Sequence, residues 1–195
     1  MLSAVKVKHM SEQMMQTVTS TLPGLDANAF CQLYENCRQD MYRYAYYKLG
    51  HPQEAEDAVQ DAVLEAWRQL GNLRSVGAFR GWIFKILAAC CKRRIRCIVR
   101  EREKTEAAGT QLMTAVSRQD GQVIQGGGSA GEQAASHVAL EKALNELTEE
   151  ESEIVLLSVV AGLTSTEIAA QTDMQPGGVR SKLSRSLAKM RANLS

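Results

Sequence analysis

The chain's charged side chains fall into blocks, and the blocks suggest partners. Between residues 74 and 104 stand Arg74, Arg80, Lys85, Lys92, Arg93, Arg94, Arg96, Arg100, Arg102 and Lys104, opposed only by Glu101 and Glu103. Residues 52–70 reverse the balance, with Glu54, Glu56, Asp57, Asp61 and Glu65 against Arg68. A third block, Arg180, Lys182, Arg185, Lys189 and Arg191, is again cationic, and the formal net charge of +1 conceals all three. Dense cations suit phosphate, whereas an acidic patch is repelled by DNA and suits a basic protein surface.

Bond-making chemistry finds no such constellation. His9, His51 and His137 are scattered, with no nucleophile and base, metal-ligand or phosphate-loop spacing around them. Cys90, Cys91 and Cys97 lack a CxxC pair and a neighbouring histidine, so buried or idle thiols are expected among the five cysteines rather than a metal site or disulfides. The expectation is a chain that is not an enzyme, with no cofactor, metal or small-molecule substrate. Lys6 and Lys8 interrupt the opening segment where a signal peptide needs an apolar core. IFKILAACC, broken by Lys85, is far below the roughly 20 residues that span a bilayer. A cytoplasmic location without membrane insertion follows.

The elements that must carry these blocks read as helices. Residues 1–25 are weakly patterned and form a variable arm. Asp26 is placed to cap a helix from about 27 to 49, with Phe30, Leu33, Tyr34, Cys37, Met41, Tyr44 and Ala45 on its apolar face and Gly50 as its stop. A second helix opens at Pro52 and buries Ala55, Ala58, Val59, Ala62, Val63, Ala66 and Trp67, so its carboxylates face outward. After GNLRS a third runs from about 76 to 103, with Phe79, Trp82, Ile83, Ile86, Leu87 and Cys90 inside and a basic second half. Residues 26–103 thus form one helical bundle.

From 104 to 137 the pattern gives way to Gly, Gln, Ser and Ala, the composition of a flexible tether. Its relaxed span is roughly 30 Å, and about 100 Å when stretched. Helices resume from 138 to 195. Thr148 with Glu151, and Thr164 with Glu167, have capping-box spacing, and IVLLSVVAGL is a central helix closing at Gly162. TDMQ then separates a short helix from a basic last one that starts at Pro176, the layout of a helix-turn-helix. Gly177 and Gly178 keep its first turn free of bulk, and Arg180, Ser181, Lys182 and Arg185 are the residues aimed at base edges. The fold class is all-α: two small helical domains on a flexible linker.

LTEEESEIVLLSVVAGLTSTEIAAQTDMQPGGVRSKLSRSLAKMR resembles the fourth conserved region of the extracytoplasmic function (ECF) sigma factors, the small two-domain class of the sigma-70 family. FCQLYENCRQDMYRYAYYKLG, AEDAVQDAVLEAW and FRGWIFKIL resemble the second conserved region. The resemblance covers about residues 28–103 and 138–194, in the family's order. It implies a subunit that binds core RNA polymerase and directs initiation at promoter DNA, with an anti-sigma factor as regulator. Asp57, Gln60 and Asp61 match the motif that docks on the basic coiled coil of the polymerase clamp. Asn72, Arg74 and Ser75 in the loop, with Lys92, Arg93 and Arg96 on the helix, match the part that engages and melts the −10 element. Gly177, Arg180, Ser181, Lys182 and Arg185 fall in the reader of the −35 element. Two positions depart from the family: Ala89 replaces a usual asparagine and Arg93 a usual aspartate. The competing readings are a helix-turn-helix regulator and a sigma-like protein that binds polymerase without opening promoters.

Overall fold

The structure, a computed structural model, describes residues 26–107, 140 and 142–194. The expected arm and nearly all of the tether lie outside these residues. Most of those described are helical, with no strand among them. Asp26, in extended backbone, accepts from the amide of Ala29 at 2.8 Å and opens α1, Ala27–Glu35. The single helix expected through residue 49 is interrupted here. The Cys37 amide reaches back three residues to the Tyr34 carbonyl at 2.9 Å, and its own backbone lies outside the helical region at φ −123°, ψ −3°. Its thiol donates to the Leu33 carbonyl, which that amide leaves free, at 3.4 Å and also approaches the Tyr34 carbonyl at 3.3 Å. Helix α2, Arg38–Leu49, then ends at Gly50 with φ +69°.

Helix α3, Pro52–Arg68, presents Ala55, Ala58, Ala62 and Ala66, all fully buried, to its neighbours. Such small side chains let the flanking helices approach closely. Two 3-10 turns, Leu70–Asn72 and Val76–Ala78, lead into α4, Phe79–Ala107, which begins later than residue 76 and continues beyond 103. Ile83, Phe84, Leu87 and Cys91 of α4 are fully buried against α2 and α3. Phe30 meets Trp67 and Phe79 edge-on at 5.2 and 5.6 Å, and Tyr44 meets Phe84 at 5.8 Å. Each large apolar side chain removed from water contributes about 1.5–3 kcal/mol.

In the second half, residues 142–145 are helical and Thr148 with Glu151 forms the expected capping box, opening α5, Glu149–Val155. The expected central helix then widens: Leu156–Val160 is a π turn, with the Ala161 amide bonded to the Leu156 carbonyl at 3.0 Å. A run apolar on every side has no polar face to fix its phase. The wider turn leaves Leu156 and Leu157 buried and turns Val159 to solvent. Gly162, at φ +64°, ends the segment. The second capping box opens α6, Ser165–Thr172, and Asp173 at φ +53° turns the chain into α7, Pro176–Leu194.

The two halves touch. Arg80 of α4 donates through Nε to the Ala161 carbonyl and through Nη2 to Asp40 at 2.6 Å. Gln171 of α6 donates to the Gly81 carbonyl at 3.0 Å. Glu153 of α5, 8% exposed, lies 3.0 Å from Lys92 and 3.7 Å from Lys48.

Candidate functional site

On α3, Asp57, Gln60 and Asp61 are three and four residues apart and share the face opposite Ala58, Val59 and Ala62. Gln60 is exposed and the two aspartates are half-buried. The structure therefore assembles this predicted trio, and it adds a residue that sequence reasoning left out. Arg94, rising from α4, places Nη1 2.7 Å from Glu54 and 3.4 Å from Asp57, and Nη2 3.4 Å from Asp61. Burial alone lowers the Arg94 pKa, but the hydrogen bond to Glu54 and the charges of Asp61 and Asp57 outweigh it and hold the pKa above its usual value. Gln53 donates to the other Asp57 oxygen, Oδ1, at 3.3 Å, and Arg93 approaches Asp61 at 3.5 Å. A signal for Arg94 was available in its spacing. It follows Leu87 and Cys91 at helical intervals, so it leaves α4 at the edge of the core beside α3.

On the neighbouring side of α4, a groove of about 680 Å³ is bounded by Asn72, Arg74, Trp82, Lys85, Ala89 and Arg93. Asn72 closes the first 3-10 turn and Arg74 follows it, both exposed. Trp82, expected inside the core stripe, is only partly buried and offers its indole to this groove. Ala89 carries no side chain long enough to fill the space beneath it. Cations at the rim and an aromatic wall are suited to phosphates and unstacked bases. Of the six predicted −10 residues, Asn72, Arg74 and Arg93 meet here. Ser75 is exposed nearby, whereas Lys92 turns to Glu153, and Arg96 donates through Nε to the Lys92 carbonyl at 3.3 Å.

Helices α6 and α7 form the expected helix-turn-helix pair, anchored by the fully buried Ile168 and Val179. Arg180 and Arg185 are exposed on α7. Ser181 is also exposed, but its hydroxyl donates to the Gly177 carbonyl at 3.0 Å, and Arg185 Nε reaches the Ser181 carbonyl at 3.3 Å. Lys182 lies 2.6 Å from Glu150, which ties α7 to α5. Gly177 and Gly178 have no close neighbours that bar a Cβ, so crowding within the chain does not require glycine at either position. The structure thus leaves two arginines outward and engages the serine and lysine internally.

The thiols are unpaired. Burial raises Cys37 to about 11 and Cys91 to about 12. Among the described residues, no group of three or more His, Cys, Asp or Glu is placed to hold a metal ion, and no helix is long and apolar enough to cross a membrane.

Comparison with known proteins agrees with this layout. Residues 33–101 match Sigma-70 region 2 and residues 137–190 match Sigma-70, region 4, together more than half of the chain. The chain is 26% identical over 87% of its length to the ECF RNA polymerase sigma factor BldN of Streptomyces coelicolor, of which it spans 61%. It is 26% identical over 85% of its length to the ECF RNA polymerase sigma factor SigM of Mycobacterium tuberculosis, covering 76% of that protein. Its fold is like that of the sigma factor RpoE from Bartonella quintana, solved in complex with the anti-sigma factor NepR. The TM-score is 0.64 at 23% identity, over 85% of this chain and 96% of that one. With both sigma regions present in family order on helices that carry the acidic and cationic blocks, the chain belongs to the sigma-70 family, in its ECF group.

Proposed function

We propose that the chain is a sigma factor that binds core RNA polymerase and directs promoter-specific initiation. The observation that carries this reading is the pairing on one bundle of an acidic face, Asp57, Gln60 and Asp61 on α3, with a cation-rimmed groove beside α4. A basic partner and nucleic acid are thereby held next to each other without crossing. The groove engages the −10 element through Asn72, Arg74 and Arg93, with Ser75, Lys92 and Arg96 on its approaches. Helix α7 reads the −35 element through Arg180 and Arg185 from an N-terminal turn opened by Gly177, with Ser181 and Lys182 beside them. The protein supplies recognition and the polymerase supplies catalysis, and both act in the cytoplasm.

The two promoter elements lie about two DNA turns apart, roughly 70 Å, whereas the halves touch through Arg80, Gln171 and Glu153. Reading both elements at once therefore requires the halves, residues 26–103 and 138–195, to separate along the connecting segment. An anti-sigma factor that favours the packed arrangement is the natural regulator. The test is binding of the full chain to core polymerase by fluorescence anisotropy, compared with Asp57→Lys plus Asp61→Lys. Loss of binding in the variant, with its helical content retained, supports the reading; equal binding removes the docking face.

A further inference from the structure

We infer that Arg94 is a positioning residue for polymerase docking: it acts through Asp57 and Asp61 rather than on DNA. The inference rests on the proposed role of the α3 face. Its basis is geometric. Arg94 belongs to the cationic run of α4, yet its side chain leaves that run and crosses to α3, where one guanidinium meets Glu54, Asp57 and Asp61. Those carboxylates stand at residues 54, 57 and 61, so one helical face gathers three negative charges that repel one another. A planar fork with fixed donor directions suits several carboxylates at once better than an ammonium does.

The contacts are also directional. Arg94 engages Oδ2 of both aspartates, while Gln53 holds Oδ1 of Asp57. The side chain of Arg94 is 22% exposed and those of the aspartates 39% and 40%. The arginine thus lies beneath the face and the carboxylates above it, still open to a basic partner. Free in solution, two aspartates sample several rotamers, and docking must fix them at an entropic cost. Arg94 fixes them beforehand. Arg93, more exposed and reaching Asp61 alone at 3.5 Å, lines the groove and keeps the nucleic-acid role.

The opposite sign is equally concrete: if Arg94 only neutralised the face, removing it would expose more negative charge and tighten docking. The experiment measures affinity of the full-length chain for core polymerase, without DNA, for wild type, Arg94→Ala, Asp61→Asn and the double variant. Thermal melts are recorded on each. The expected result is an affinity on the order of tenfold weaker for Arg94→Ala, with Arg94→Lys intermediate. Asp61→Asn then costs distinctly less in the Arg94→Ala background than in wild type, because the two residues act as one unit. A purely structural role for Arg94 gives multiplicative losses and overturns the inference. So does unchanged or tighter binding of Arg94→Ala while Asp57→Lys plus Asp61→Lys loses binding. If that charge-reversed pair binds like wild type, the docking face falls and the inference with it.

Discussion

Replacing Glu153 by Gln should loosen the two halves of the chain from each other. Glu153 is nearly buried, 3.0 Å from Lys92, whose side chain is 48% exposed, and 3.7 Å from Lys48, whose side chain is 5% exposed. At an effective dielectric near 20, each attraction is of order 5 kcal/mol before desolvation is charged against it. Desolvation removes most of this gain, but removing one partner of a buried pair still costs about 3–5 kcal/mol because the other charge is stranded. Lys92 is half in water, so its share is small, and the lower end, about 3 kcal/mol, applies. That is roughly a 150-fold shift from packed toward open halves. Small-angle scattering of the purified chain reads the change as a larger radius of gyration, and protease sensitivity between residues 108 and 139 reads it independently. Glu153→Leu with Lys48→Met, which removes both buried charges, should restore compactness because apolar replacement of such a pair is neutral or better. A Glu153→Gln chain as compact and as resistant as wild type would refute the electrostatic account of the contact.

Further outcomes follow from the same geometry. Arg180→Ala and Arg185→Ala should each weaken use of a −35-dependent promoter by about 1–3 kcal/mol if they contact base edges, and transcription assays on such a template check this. Thr148→Ala and Thr164→Ala each remove a capping box and should cost about 1 kcal/mol in chemical denaturation. Burial raises Tyr34 to about 12, Cys37 to about 11 and Cys91 to about 12, and raises Tyr44 as well. Their neutral forms are favoured in the fold, so this contribution is complete below the unfolded values, near 9 for thiols and 10 for tyrosines, and is lost as pH rises through the folded ones. Circular dichroism should therefore show alkaline unfolding coincident with tyrosinate absorbance, and phenylalanine at positions 34 and 44 should move it upward. Gly81→Ala should stabilise the chain by about 0.5–1 kcal/mol, because the added methyl meets Glu167 and Gln171 at ordinary distances of 3.7 and 3.8 Å.

What the sequence discloses and what it withholds have separable causes. Helices α3 and α7 were legible because their apolar residues recur at one phase from cap to stop. The break at Cys37 was not, since Leu33, Tyr34, Cys37 and Met41 keep helical spacing straight through it. The π turn after Val155 was hidden by a run that is apolar on all sides. At the sites, the outward face of Asp57, Gln60 and Asp61 follows from the alanines behind it. The division of the basic run into Arg94 toward α3, Lys92 toward Glu153 and Arg93 toward the groove does not, because charge composition carries no direction. The polar contacts between the halves are made by Arg80, Glu153 and Gln171, dispersed residues that leave no periodic trace. A glutamate directly ahead of the apolar run IVLL and a glycine early in α4 were its visible hints.

The central claim is tested most directly by transcription in vitro with sigma-free core polymerase, the purified full chain and a library of randomised promoter templates. The expected result is a set of transcripts that appear only when the chain is added, and whose templates share two sequence elements about two helical turns apart. The contradicting result is a chain that joins the core yet yields no added start on any template.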